Sequence, residues 1–140
     1  MEYQNKEKTK PRLWVLEDET DLRTIMAYLA EQRGFEPCAF SSIKEAWEAL
    51  AEAEQNPAQL APHYIISDFN LMDGDSEKWL DRMRIVFPSA RIVCLSGSLT
   101  QEIADRLKNR GILSIEKPAS LGRVLELLQS EDQAELNSEC

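Results

Sequence analysis

Five short apolar runs punctuate this chain, and none of them alternates between apolar and polar residues. They are Leu13-Trp14-Val15-Leu16, Phe35 to Phe40, Tyr64 to Ser67, Arg91 to Leu95 and Ile112 to Glu116. A strand with one wet face alternates; a short continuous run is covered on both faces, as in a parallel sheet sandwiched between helices. The intervening segments carry helical spacing instead: Leu22, Ile25, Met26 and Leu29; Ile43, Ala46, Trp47 and Leu50; Trp79, Leu80, Met83 and Val86; Ile103 and Leu107; Leu121, Val124, Leu125 and Leu128. Strand and helix alternating in this way predict one α/β domain, doubly wound around a five-stranded parallel sheet.

The punctuation between these segments has the chemistry of helix ends. Gly34 before Phe35 gives a left-handed stop, Ser42 with Glu45 makes a capping box, Pro88 ends the third helix, Ser98 with Gln101 caps the fourth, and Gly111 ends it. The second helix dissolves around Gln55-Asn56-Pro57, leaving a somewhat long loop to Pro62. Pro37 cannot donate to a ladder, which predicts an edge position for the second strand. Residues 1–11 read as a polar arm, 12–129 as the domain, and 130–140 (SEDQAELNSEC) as a polar tail that frays. A chain of 140 residues suits one domain that buries about 68–70% of its unfolded surface.

Charge and cysteine usage exclude several classes. With 16 basic against 25 acidic residues, a net charge of −9 argues against this piece holding nucleic acid by itself. Cys38, Cys94 and Cys140 show neither C-x-x-C spacing nor an even count, so no disulfide framework or zinc site is expected. The N-terminus lacks the apolar core of a signal peptide, and no run approaches the ~20 apolar residues of a membrane helix. A reducing, cytoplasmic setting is the expectation.

In a parallel sheet all strands end at one edge, and there this sequence places its reactive side chains. Glu17 and Asp18 follow the first strand, Asp68 ends the third, Ser96 follows the fourth and Lys117 the fifth. Taken alone, an Asp at a strand end starts a turn, and an acidic Glu17-Asp18-Glu19 complements a helix dipole. Their joint occurrence says more. Three convergent carboxylates repel one another unless a cation sits among them, and hard oxygen ligands without His or Cys point to Mg²⁺. Lys117 adds a positive charge and Ser96 a hydroxyl able to donate to a phosphoryl oxygen. Such a set suits phosphoryl transfer onto an aspartate. His63 has no metal partner in sequence, Trp14, Trp47 and Trp79 read as core, and Cys94 as a small buried hydrophobe.

LEDE at Leu16 to Glu19, SDFNLMDGD at Ser67 to Asp75, CLSG at Cys94 to Gly97 and EKP at Glu116 to Pro118 resemble, in this order, the motifs of the receiver domain of two-component response regulators. The resemblance spans Arg12 to Gln129. It implies a flavodoxin-like (βα)5 domain with sheet order 2-1-3-4-5, and a signalling module rather than an enzyme acting on other substrates. It also implies that Asp68 accepts phosphate from a sensor histidine kinase or phosphotransfer protein, and that Glu17, Asp18, Asp68 and the backbone carbonyl of Asn70 hold Mg²⁺. Ser96 and Lys117 would bind the phosphoryl group, with a cis Lys117-Pro118 bond. Asn70 and Ser98 would flank the path of the water that removes the phosphoryl group, giving self-dephosphorylation. The readout would be a downstream protein partner or an output domain outside these residues, and a weak homodimer.

Three departures stand out. Glu17 occupies a place where Asp is commoner, and Met72 one where Pro is common. Ser114 stands where such domains usually carry the Tyr or Phe that swings inward as Ser96 moves, so the switch here is expected to run through the loop from Ser96 to Glu102. Other chemistries fit less well. A haloacid-dehalogenase-type phosphatase wants a second Asp where Asn70 stands, a flavodoxin phosphate loop would be repelled by Glu17-Asp18-Glu19, and G-x-x-x-x-G-K is absent. A phosphorylation-independent interaction module on the same fold is the remaining alternative.

Overall fold

The computed structural model describes residues 9–70 and 75–138, with 130–138 described by backbone only. Strands β1 (Arg12–Leu16), β2 (Glu36–Phe40), β3 (Tyr64–Asp68), β4 (Arg91–Ser96) and β5 (Ile112–Glu116) form one sheet of order β2-β1-β3-β4-β5. Every pairing is parallel. The expected topology is therefore observed, with Pro37 on the edge strand and facing Leu13 in the register.

Helices α1 (Thr20–Gln32), α2 (Ile43–Gln55), α3 (Pro57–Leu60), α4 (Ser76–Val86), α5 (Gln101–Asn109) and α6 (Leu121–Ser138) divide between the two faces. On one face Trp14, Leu16, Ile65, Ile92 and Cys94 meet Ile43 and Leu50 of α2, Trp79, Leu80 and Met83 of α4, and Leu107 of α5. On the other, Leu13, Val15, Ile66, Val93 and Leu95 meet Met26 and Ala30 of α1 and Val124, Leu125 and Leu128 of α6. Successive strand residues thus feed opposite cores, which is why the runs do not alternate. Trp14 packs edge-on against Phe40 at 5.3 Å and Phe87 at 5.7 Å, and Trp47 against Trp79 at 5.2 Å.

Several local expectations need correction. Ile25 is 50% exposed, because the buried stripe of α1 runs through Met26 and Ala30, with Leu22 and Leu29 packed beside them. The cap of α5 is Thr100, whose hydroxyl accepts from the Ile103 N–H at 3.2 Å, while the Ser98 N–H turns back to Ser96 Oγ at 3.1 Å. The loop before β3 contains the extra turn α3, which Pro57 starts from a first position that needs no N–H donor. Helix α6 extends to Ser138, through a segment that holds good helix formers and neither Gly nor Pro. Gly34 at φ 92° and Gly111 at φ 75° close α1 and α5 in the left-handed region, as expected.

His63 has a structural task at the opposite sheet edge. Its Nδ1 accepts from the Arg12 N–H at 2.9 Å, and its own N–H donates to the Arg12 carbonyl at 2.9 Å, which extends the β1–β3 ladder. Partial burial, then the charge of Arg12, hold its pKa below the ordinary histidine value and keep the ring an acceptor. No helix among the described residues is long and apolar enough to cross a membrane.

Candidate functional site

At the carboxyl edge of the sheet the reactive residues converge. Glu17 directly follows β1, and its N–H extends the β1–β2 ladder by donating to the Phe40 carbonyl at 3.1 Å. That pairing turns the side chain inward, so Glu17 is only 2% exposed. Its Oε2 accepts from the Glu19 N–H at 3.1 Å. Its Oε1 is buried without a hydrogen bond, with Lys117 Nζ 3.5 Å away, a charge contact at the outer limit of a hydrogen bond. Asp68 ends β3 and is 5% exposed; Oδ1 accepts from the Asn70 N–H at 3.1 Å and Oδ2 from Lys117 Nζ at 3.1 Å.

Ser96 ends β4 and is 1% exposed. Its Oγ accepts from the Ser98 N–H at 3.1 Å and, more weakly, from Asn70 Nδ2 at 3.4 Å, which leaves the hydroxyl hydrogen free to donate. Lys117 follows β5, where its N–H donates to the Ser96 carbonyl at 2.8 Å and its peptide bond to Pro118 is cis. One backbone bond therefore ties together the two strand ends that carry the hydroxyl and the ammonium. Asp18 completes the group: its carboxylate is exposed, and one oxygen each of Glu17, Asp18 and Asp68 lie within 4.8 Å of one another.

Among the described residues the charges of the cluster do not balance. Three carboxylates face one ammonium, and burial holds the Glu17 carboxyl above its ordinary pKa; the Glu19 N–H opposes this, while Asp68 and Asp18 add to it and Lys117 subtracts. Burial works against the charged form of Lys117 as well. Its hydrogen bond to Asp68 and the charges of Asp68 and Glu17 outweigh that penalty and hold its pKa above the usual lysine value. A buried carboxylate oxygen without a hydrogen bond, in a cluster with excess negative charge, fits a divalent cation with oxygen ligands.

Glu17, Asp18, Asp68, Ser96 and Lys117 are thus together, as expected from their strand-end positions, and Asn70 and Ser98 lie beside them through contacts with Asp68 and Ser96. Ser114 is not among them. It lies half-buried in the middle of the edge strand β5, opposite Cys94 in the register and short of the strand's carboxyl end. The turn Leu71-Met72-Asp73-Gly74 lies outside the described residues.

Two features were missed in the sequence. Arg23 reaches back from α1 to donate to the Glu17 carbonyl at 3.0 Å. Its signal was a cation early in a helix, where the dipole disfavours it. The second feature joins α4 to α5. Arg106 grips both oxygens of Glu77 at 2.9 Å, and Arg110 bridges Glu77 at 2.9 Å and Asp81 at 2.7 Å. A separation of 29 residues between Glu77 and Arg106 left no periodic trace.

No protein-family model matches this chain, and no curated protein does. Solved structures do. The chain is similar to a CheY-like response regulator receiver domain protein from Methanospirillum hungatei, with a TM-score of 0.76 and 21% identity over 94% of this chain and all of that one. The signal receiver domain of a putative Luxo repressor from Vibrio parahaemolyticus gives 0.73 and 20% over 93% of this chain and 96% of the other. This chain has the fold of a CheY-like receiver domain. A response regulator from Burkholderia pseudomallei, solved with a phosphorylated aspartic acid and a calcium ion, shares the receiver fold at 0.69 and 23% identity, over 92% of this chain and 74% of that one.

Proposed function

We propose that this receiver-fold domain is the phospho-accepting module of a two-component signalling system, and that Asp68 is the acceptor. The observation that carries the reading is the excess of negative charge at the sheet edge, where, among the described residues, Glu17, Asp18 and Asp68 converge around a single ammonium. A related observation supports it by analogy: the Burkholderia pseudomallei regulator, which shares the fold, holds a phosphorylated aspartic acid together with a divalent ion.

In this reading an Asp68 carboxylate oxygen attacks the phosphorus of a phosphohistidine on a sensor kinase or phosphotransfer protein. The new O–P bond forms as the P–N bond breaks, and the leaving imidazole nitrogen keeps the electron pair. Lys117, already 3.1 Å from Asp68 Oδ2, offsets charge on the phosphoryl oxygens, and the free hydroxyl hydrogen of Ser96 donates to one of them. Mg²⁺, held by Glu17, Asp18, Asp68 and the Asn70 carbonyl, would supply charge neutralisation for both the carboxylates and the incoming group. Small polar residues at Asn70 and Ser98 leave water a path to the phosphoryl group, so the domain dephosphorylates itself. It acts in the cytoplasm as a signalling module, and its output is a partner protein or a linked domain.

Intact-mass spectrometry after incubation with a small phosphodonor tests this. One phosphoryl group per chain is expected with Mg²⁺ and none in excess chelator. Failure to take up any phosphoryl group under either condition would favour a phosphorylation-independent interaction module.

A further inference from the structure

The three carboxylates of the site are not held alike. Glu17 is fixed by the Glu19 N–H and Asp68 by the Asn70 N–H and Lys117. Asp18 takes no hydrogen bond or ion pair among the described residues, and its side chain is exposed. Its place within 4.8 Å of the other two is therefore set by its backbone.

That backbone has two anchors. On the strand side the Glu17 N–H is bound to the Phe40 carbonyl at 3.1 Å. On the other side the Glu17 carbonyl, which belongs to the peptide joining Glu17 to Asp18, accepts from Arg23 Nη1 at 3.0 Å. Arg23 is itself held, since its N–H donates to the Glu19 carbonyl at 2.9 Å in the first turn of α1. Its charge also lies within electrostatic reach of Glu45 on α2, whose carboxylate is fixed by the Ser41 N–H at 2.7 Å. A cation early in a helix opposes the dipole, so the carbonyl it grips is the compensation.

We infer that Arg23 is a positioning residue for the acidic turn, its guanidinium fixing the Glu17–Asp18 peptide so that Asp18 faces Glu17 and Asp68. This rests on reading the site as a Mg²⁺-dependent phosphoryl acceptor. Groups that orient metal ligands without touching the metal typically change affinity by 10–100-fold when removed, and one backbone clamp belongs at the lower end. The sign separates positioning from charge. Removing a nearby cation without any loss of orientation would tighten Mg²⁺ binding, because less positive charge would oppose the ion.

The test is a Mg²⁺ titration of the full chain by calorimetry, with wild type, Arg23→Met and Arg23→Lys, and thermal melts of each in chelator. Arg23→Met keeps the aliphatic stem and loses the donor. It should bind Mg²⁺ about tenfold more weakly, with a chelator melt close to wild type, while Arg23→Lys recovers part of the affinity. If Arg23→Met does not fold, Arg23→Lys decides, and unchanged affinity there overturns the inference. Wild-type binding that Arg23→Met leaves unchanged or tightens overturns it alone. No Mg²⁺ binding by wild type overturns the functional reading, and the inference with it.

Discussion

Two clusters of carboxylates and cations lie on neighbouring parts of this fold, and they are built on opposite principles. In the clamp between α4 and α5, Glu77 and Asp81 face Arg106 and Arg110, charge for charge. Hydrogen bonds from Arg106, then Arg110, pull the Glu77 carboxyl down to a pKa of about 2. At the sheet edge Glu17, Asp18 and Asp68 outnumber the one cation, Lys117, that pairs with their carboxylates among the described residues, and burial pushes Glu17 the other way. A cluster that lowers its carboxyl pKa stabilises the fold, whereas one that raises it carries a cost at neutral pH that a missing positive charge would relieve. The two shifts run in opposite directions, one set by paired charges and the other by burial.

The largest contrast is in phosphoryl uptake. Asp68→Asn should abolish it, and Glu77→Gln should leave it close to wild type; uptake surviving in Asp68→Asn would remove the acceptor from the sheet edge. Lys117→Ala comes next. It removes the one cation hydrogen-bonded to Asp68 among the described residues, and the initial rate of phosphorylation should fall about 100-fold.

Stability gives the reverse order. Glu77→Gln breaks a bidentate contact that is only partly exposed, so after allowing for solvent screening it should cost about 1–2 kcal/mol in denaturant melts. Because the folded Glu77 pKa is depressed, that contribution is complete above its unfolded value of about 4.5 and is lost as pH falls toward about 2. Wild type should lose this increment over that window and Glu77→Gln should not. The smallest effect belongs to Ser114→Ala. A half-buried serine inside β5 has no large surface to carry a rotameric swing, so partner binding and phosphorylation should both stay near wild type.

The parallel five-stranded sheet, its edge strand and the convergence of Glu17, Asp68, Ser96 and Lys117 were legible because each depends on local pattern: continuous apolar runs, one misplaced proline, and polar residues at run ends; the sheet order followed only from the resemblance to receiver domains. The exposed Ile25 was not, since both Ile25 and Met26 fit a helical stripe and only the position of the sheet chooses between them. Thr100 rather than Ser98 caps α5 because the helix begins at Gln101, while the Ser98 N–H belongs to the site, donating to the Ser96 hydroxyl. The α4–α5 clamp and the Arg23 contact join side chains through space, and a single sequence has no periodicity that encodes them.

The most direct measurement is thermal stability of wild type and Glu17→Gln, each in chelator and in Mg²⁺. Glu17 is an acid whose folded pKa is raised by burial, so stability of the metal-free fold is lost as pH rises from the ordinary value of 4.5 through the raised folded value, and that loss is complete at neutral pH. Glu17→Gln should therefore melt above wild type in chelator at neutral pH and gain much less from Mg²⁺, which should stabilise wild type. If instead Glu17→Gln is destabilised in chelator, as Glu77→Gln is expected to be, or keeps the full response to Mg²⁺, the sheet-edge cluster is scaffold and not a cation-dependent acceptor site.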